Sequence, residues 1–278
     1  MSSSKIFWSL IVSSQLCGLT AYALMQSWLH KYNDGFDWNS EVSHLIQNYH
    51  ALFMLLGFLL LFGEATLTYR LLSRVKAPYL LQKAVHATIL IIATILWVVG
   101  LVAAFKARNL DQSHGKETKH FYSFHSWLGL ILMVIFVSQF LWFAYSVRIS
   151  SVPPTKLCFA IVWYAHAKFI SPALQALYQS IHIFNGLFLF VLATATCFTG
   201  LNEVGIYKVE NYKLNSSSGI HLNMVGIFAL GFVTTVGYLL WKPEFKLTPA
   251  VGEEPKESAN SNCTDEAITL RNSDKTVV

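Results

Sequence analysis

Charge is scarce in this 278-residue chain. Asp, Glu, Lys and Arg together make up 13% of it and hydrophobic residues 54%, whereas an ordinary soluble domain is roughly one quarter charged. Cysteine is scarcer still. Cys17, Cys158, Cys197 and Cys263 stand far apart and form no CxxC pair, so neither a disulfide framework nor a zinc site is indicated. No CxxCH occurs, which removes covalent haem attachment. No basic stripe interleaved with aromatics lies outside the apolar runs, so nucleic acid is set aside as a partner and the net charge of +5 becomes an argument about topology. Acidic residues are missing from the apolar runs as well, Glu64 being the single exception.

What the chain has instead is long apolar runs. A bilayer core about 30 Å thick needs about 20 apolar residues per helix, and six segments qualify, at roughly 6–29, 48–69, 79–105, 123–147, 174–200 and 220–241. The expected fold is all-α, a polytopic membrane protein of six transmembrane helices in the lipid bilayer. Residues 1–247 form the membrane domain, and 248–278 a disordered cytosolic tail poor in residues to bury. The first run is too long for a cleaved signal and lacks a small-residue cleavage site, so it is read as a retained anchor. The loop carrying Arg70, Arg74, Lys76 and Lys83 is strongly basic, which places it and both termini in the cytosol. Lys106, Arg108, Lys116 and Lys119 fall in an outer loop and count against that orientation. The sequon Asn215-Ser216-Ser217 lies outside and agrees with it, and Asn262-Cys263-Thr264 lies in the inner tail, where it should stay unmodified. Between the fourth and fifth runs, Pro153-Pro154 breaks the helix, and 157–165 is too short to cross, so it is read as an interfacial helix.

Four histidines interrupt the runs. His50, His86, His125 and His182 each sit near the start of a long apolar segment, where an imidazole needs a partner or an aqueous cavity. A helix rises 1.5 Å per residue, so depth pairs His50 with His125 near the outer face and His86 with His182 near the inner one. That gives two stacked centres in a four-helix core of spans two to five, with spans one and six outside it. Zinc and copper sites usually collect three or four protein ligands, and neither pair has a Cys, Asp or further His nearby. Two axial imidazoles suffice for haem, whose iron then has no open position and transfers electrons. Two non-covalent b haems are the cofactors expected. Gly57, Gly63, Gly100, Gly129, Gly186 and Gly200 would let a flat macrocycle approach, although each alone reads equally as close helix packing.

The chain resembles the cytochrome b561 family over residues 35–245. The matching residues are Trp38, His50 with Gly57, Gly63 and Tyr69-Arg70, then Lys83 and His86 followed by Val99-Gly100-Leu101-Val102-Ala103 and Phe105. Tyr122-Ser123, His125-Ser126-Trp127, Gly129 and Gln139 follow, with His182-Ile183-Phe184, Gly186, Gly200-Leu201, Glu203 and Trp241-Lys242-Pro243. Departures are Ala51 for a usual proline, Glu64 for another polar residue, Leu90 for a second histidine, and Leu177-Tyr178-Gln179-Ser180 for basic residues after a longer 148–174 connection.

The resemblance implies an ascorbate-dependent transmembrane oxidoreductase, a ferric-chelate or monodehydroascorbate reductase. Cytosolic ascorbate would be the donor. The acceptor would be ferric iron or monodehydroascorbate, with ferric reduction preferred. The membrane would be the plasma membrane or an endomembrane vesicle or lysosome. A homodimer is admitted. Arg70, Lys76 and Lys83 could bind ascorbate electrostatically, although topogenic charge also explains some of them. His114, His120 and Tyr122 are the candidates on the acceptor side, His114 being preferred over His120. Histidines 30, 44, 166 and 221 are read as ordinary interfacial residues. Two rivals are carried forward: a divalent-metal transporter with the histidines as a relay, and a family member that has lost activity.

Overall fold

The computed structural model describes residues 3–117, 119–149 and 172–245, and the side chains of these except 140–149 and 172–176. The segment 157–165 expected to lie in the interface, His166, the sequon at Asn262 and the tail from Thr248 lie outside the described residues. Among the described residues there is no strand. Six long helices follow one another: α1 (Ser3–Tyr32), α2 (Ser43–Arg74), α3 (Tyr79–Ser113), α4 (Phe124–Ile149), α5 (Pro172–Lys208) and α6 (Ser217–Trp241). Five are long and apolar enough to cross a bilayer, and α4, with 26 residues, carries its apolar stretch over Phe124–Gln139. This is the six-helix membrane fold expected.

Local chemistry sets the helix ends. Pro78, with φ −54°, precedes α3, where its missing N–H costs nothing. Ser216 caps α6, its hydroxyl accepting from Gly219 N at 3.2 Å. The ends of α2 and α3 close alike. Lys76 N donates to Ser73 O and Ala77 N to Leu72 O after α2, while Gly115 N donates to Gln112 O and Lys116 N to Asp111 O after α3. Both are Schellman closures, and the left-handed residue is Gly115 (φ 80°) in one and Lys76 (φ 54°) in the other. Within α2, Leu55–Leu61 is wound as a π-helix, a feature that clusters near functional sites.

Side-chain contacts define two ends of the bundle. At the proximal end the Arg70 guanidinium donates to Leu240 O and, at 3.1 Å, to Lys242 O. There Arg74 lies 4.6 Å over the Phe7 ring, joining the start of α1, the end of α2 and the end of α6. At the distal end Trp28 Nε1 donates to Ser218 O at 3.0 Å and Ser43 Oγ to Asp111 Oδ1 at 2.7 Å. Buried Asn48 clasps the preceding loop there through Asn33 O and Gly35 O.

α1 packs along α6, α2 along α3 and α4 along α5, with α2 also meeting α5. The α1/α6 pair closes on α2 through Phe7, Phe232 and Val236, so it lies beside the four-helix core. Among the described residues α4 meets α2 and α3 chiefly through side chains. Phe136 lies 5.5 Å from Phe58, 6.1 Å from Phe62 and 5.9 Å from Trp97. Phe58 and Trp97 themselves stack at 5.6 Å, completing an aromatic partition across the middle of the bundle. The indole N–H of Trp97 finds no acceptor there among the described residues.

Candidate functional site

The partition separates two histidine pairs. Above it His50 of α2 faces His125 of α4, with ring centroids 6.0 Å apart and planes at 84°. Below it His86 of α3 faces His182 of α5 at 6.2 Å and 75°. Each metal–imidazole bond is about 2 Å long, so two imidazoles on one metal ion place their ring centres roughly 6 Å apart. The spacing therefore suits a single ion between the members of each pair. Among the described residues no cluster of three or more His, Cys, Asp or Glu side chains exists that could complete a shell around a bare ion. A group that brings its own equatorial ligands, as haem does, fits this donor set.

Three of the rings are also oriented for ligation. Nδ1 of His50 is 3.1 Å from Gly100 O, Nδ1 of His125 is 2.9 Å from Thr196 O, and Nδ1 of His86 is 2.8 Å from Ala65 O. A carbonyl can only accept, so Nδ1 carries the proton in each ring and Nε2 keeps its lone pair for a metal. His182 is held differently, stacked 5.8 Å from Tyr178 at 19°.

The six glycines named from sequence divide by what surrounds them. A Cβ on Gly57 would meet Ala93 O at 3.0 Å, one on Gly63 would meet the Phe232 ring at 2.7 Å, and one on Gly100 would meet Phe53 and Met54 at 3.3 Å. These three serve helix packing. On Gly200 a Cβ would lie 2.8 Å from His125 Cε1, so its absence makes room for the imidazole. Gly129 and Gly186 face space, with nothing nearer than 3.8 Å and 4 Å respectively among the described residues.

A cavity of about 1210 Å³ surrounds His50 and His125 and rises to the distal rim. Phe58 and Leu132 line it low down, Gly129 at the side, and Arg108, Lys116 and Glu203 at the rim. Tyr122 lines it too, donating its hydroxyl to Glu203 Oε1 at 2.5 Å with the Arg108 guanidinium 5.1 Å above its ring. Burial, reinforced by that carboxylate, raises the Tyr122 hydroxyl above the usual tyrosine range. His120 also lines the cavity, stacked 5.1 Å from Phe105 and hydrogen-bonded to Asn109 at 2.9 Å. His114 stands outside the lining, 3.8 Å from Glu41. Glu203 was not singled out from the sequence as a contact, because its partner Tyr122 is 81 residues away.

At the proximal end the pair is flanked by tyrosines. Tyr69 lies 5.3 Å from His86 and 6.2 Å from Tyr79, and Lys83 stands 4.4 Å over the Tyr79 ring. Of the three basic residues named from sequence, Arg70 is committed to the carbonyls that end α6, while Lys76 is exposed in its turn. The remaining histidines sit in local contacts: His30 with Gln26 at 3.0 Å, His44 with Asp34 at 3.2 Å, and His221 with Leu24 O at 3.1 Å.

Comparison with known proteins adds a family. Residues 49–208 match the model of the eukaryotic cytochrome b561 family. The chain is 27% identical to the plasma membrane ascorbate-dependent reductase CYBRD1 of Mus musculus over 95% of its own length and 83% of the relative's. It is 30% identical to the transmembrane ascorbate-dependent reductase CYB561 of Ovis aries, covering 88% of this chain and 86% of that one.

Proposed function

The chain belongs to the eukaryotic cytochrome b561 family, and from that premise we propose that it carries electrons across a membrane from ascorbate, through two b haems, to an acceptor on the other side. The observation that carries this reading is the pair of facing histidines at each end, 6.0 Å and 6.2 Å apart. His50 with His125 and His86 with His182 would hold the two haems. When bound, each haem would supply a one-electron iron couple.

The chain's own groups do the rest. The carbonyls of Gly100, Thr196 and Ala65 hold three imidazoles in the ligating tautomer. The aromatic partition puts apolar rings between the two ends. The proximal end faces the cytosol with both termini, and Lys76 and Lys83 draw the ascorbate anion toward His86 and His182, while Arg70 fixes the end of α6 beside them. The distal rim, where Arg108 and Lys116 stand with Tyr122 and Glu203, receives ferric iron carried by an anionic chelator, or monodehydroascorbate.

The test is a purified sample. Two haems per chain, reduced-minus-oxidised b-type bands and reduction by ascorbate support the reading. A colourless sample carrying stoichiometric zinc would replace it with metal transport, and a single haem per chain would remove one of the centres.

A further inference from the structure

Glu64 is the acidic side chain of the apolar runs, and nothing in the electron path uses it. It lies in α2 about 15 Å inside the helix's proximal end, by α-helical rise from Arg74. Its Oε1 accepts a hydrogen bond from Gln15 Nε2 of α1 at 2.7 Å. An ionisable group at such depth is costly to keep charged, and marks function more often than packing. The amide of Gln15 suits both forms of the acid. Its N–H groups donate to a carboxylate, and its carbonyl can accept from a protonated carboxyl.

The position along α2 ties Glu64 to the proximal pair through the backbone. The next residue, Ala65, offers its backbone carbonyl to His86 Nδ1 at 2.8 Å. Glu64 is thus one peptide unit from the group that holds a ligand of the proximal centre. A centre that gains an electron loses one unit of positive charge, and in a poorly screened interior a nearby carboxylate feels that loss strongly. The acid binds its proton more tightly once the electron has arrived.

We propose that Glu64 is a proton-binding site coupled to the proximal centre, its carboxylate taking up one proton when one electron arrives there and releasing it when the electron leaves. The inference rests on the two-haem reading. The balance is one carboxylate, one proton from water at the proximal end and one electron from ascorbate, giving one neutral carboxyl and a centre reduced by one electron. Other ionisable and polar groups stand on the helices packed around Glu64. α1 brings Gln15, Ser14 and Cys17, and α6 carries Tyr238 alone as an ionisable residue between His221 and Lys242. α2 itself adds Tyr69 and Arg70, whose guanidinium is held by Leu240 and Lys242. At the proximal end α3 and α5 add Tyr79, Lys83, His86, His182 and Tyr178, and α5 carries Cys197 further along. A purely structural hydrogen bond joining α1 to α2 is the competing account.

Glu64→Gln separates the two, because glutamine keeps a hydrogen bond to Gln15 and cannot take the proton. Redox titration of the holoprotein at stepped pH is the measurement. In the wild type the proximal midpoint potential should fall as pH rises through the window where Glu64 titrates, and in Glu64→Gln that slope should vanish while the distal centre is unchanged. Wild-type protein treated with dicyclohexylcarbodiimide should form the Glu64 adduct severalfold faster when reduced by ascorbate than when oxidised. A slope that survives in Glu64→Gln, a flat wild-type profile, or an adduct indifferent to redox state each overturns the proposal. If Glu64→Gln fails to hold haem, the wild-type labelling decides. Absence of haem from the wild type would instead sink the two-haem reading itself.

Discussion

The two histidine pairs share a ring spacing and differ in almost everything around it. The distal pair looks into a cavity of about 1210 Å³ whose rim mixes Arg108 and Lys116 with Glu203 and Tyr122. The proximal pair is packed between Tyr69 and Tyr178, and at that end the Arg70 guanidinium donates to the last carbonyls of α6. Ring spacing is therefore a property of the helices, whereas access is a property of the ends. One bundle can hold two equivalent centres and still meet different partners on its two faces, because the loops and helix termini, not the core, decide what reaches each pair.

The strongest way to break that equivalence is to remove ligands two at a time. His50→Ala with His125→Ala should leave one six-coordinate haem, whereas His50→Ala with His86→Ala should leave none, read from low-spin absorbance bands and haem content. A surviving unperturbed centre in the second variant would refute the pairing.

Gly200 and Gly186 sharpen it at the next scale. Gly200→Ala puts a Cβ 2.8 Å from His125 Cε1. It should distort the distal spectrum alone and cost about 1–3 kcal/mol through overpacking. Gly186→Ala meets nothing within 4 Å among the described residues and should leave the proximal spectrum unchanged.

The proximal basic cluster should split into two roles. Arg70→Gln, losing hydrogen bonds from a charged donor to Leu240 and Lys242, should lower the thermal midpoint by an amount equivalent to about 1–3 kcal/mol, with haem bands intact. Lys83→Gln should slow reduction by ascorbate severalfold in stopped flow without that loss of stability. Equal rates for Lys83→Gln and the parent would move the donor site elsewhere.

The smallest effect compares the two Schellman closures. Lys76→Gly would give the end of α2 the residue that already closes α3 at Gly115, and should stabilise the protein by up to about 1 kcal/mol in thermal unfolding.

Much of this architecture was legible because the chain is so apolar. Runs of twenty apolar residues have few alternatives to a membrane helix, and an imidazole inside one stands out against its background. Depth along each helix then needed only the rise per residue. What depth could not supply was azimuth. Helices apolar nearly all round carry no periodicity to say that α1 lies along α6, or that Phe58, Trp97 and Phe136 meet. The π-helix at Leu55–Leu61 is written in leucines that would serve an α-helix equally well. The charge of Arg70 is visible in sequence, whereas its carbonyl partners, about 170 residues on, are not. On the distal side sequence preferred His114 over His120, and it is His120, Tyr122 and Glu203 that line the cavity there, a placement that spacing along the chain does not carry.

The aromatic partition has an electrical consequence. Phe58, Trp97 and Phe136 set an apolar layer between His86 with His182 and His50 with His125, and such a layer opposes an ion far more than an electron. Under the proposed reading, traffic between the pairs is a bare displacement current. It should respond to membrane voltage, since a full crossing is worth about 2.3 kcal/mol per charge for each 100 mV and the stretch between the pairs takes its share of that. With the cytosolic side negative, the voltage itself helps push electrons toward the distal rim.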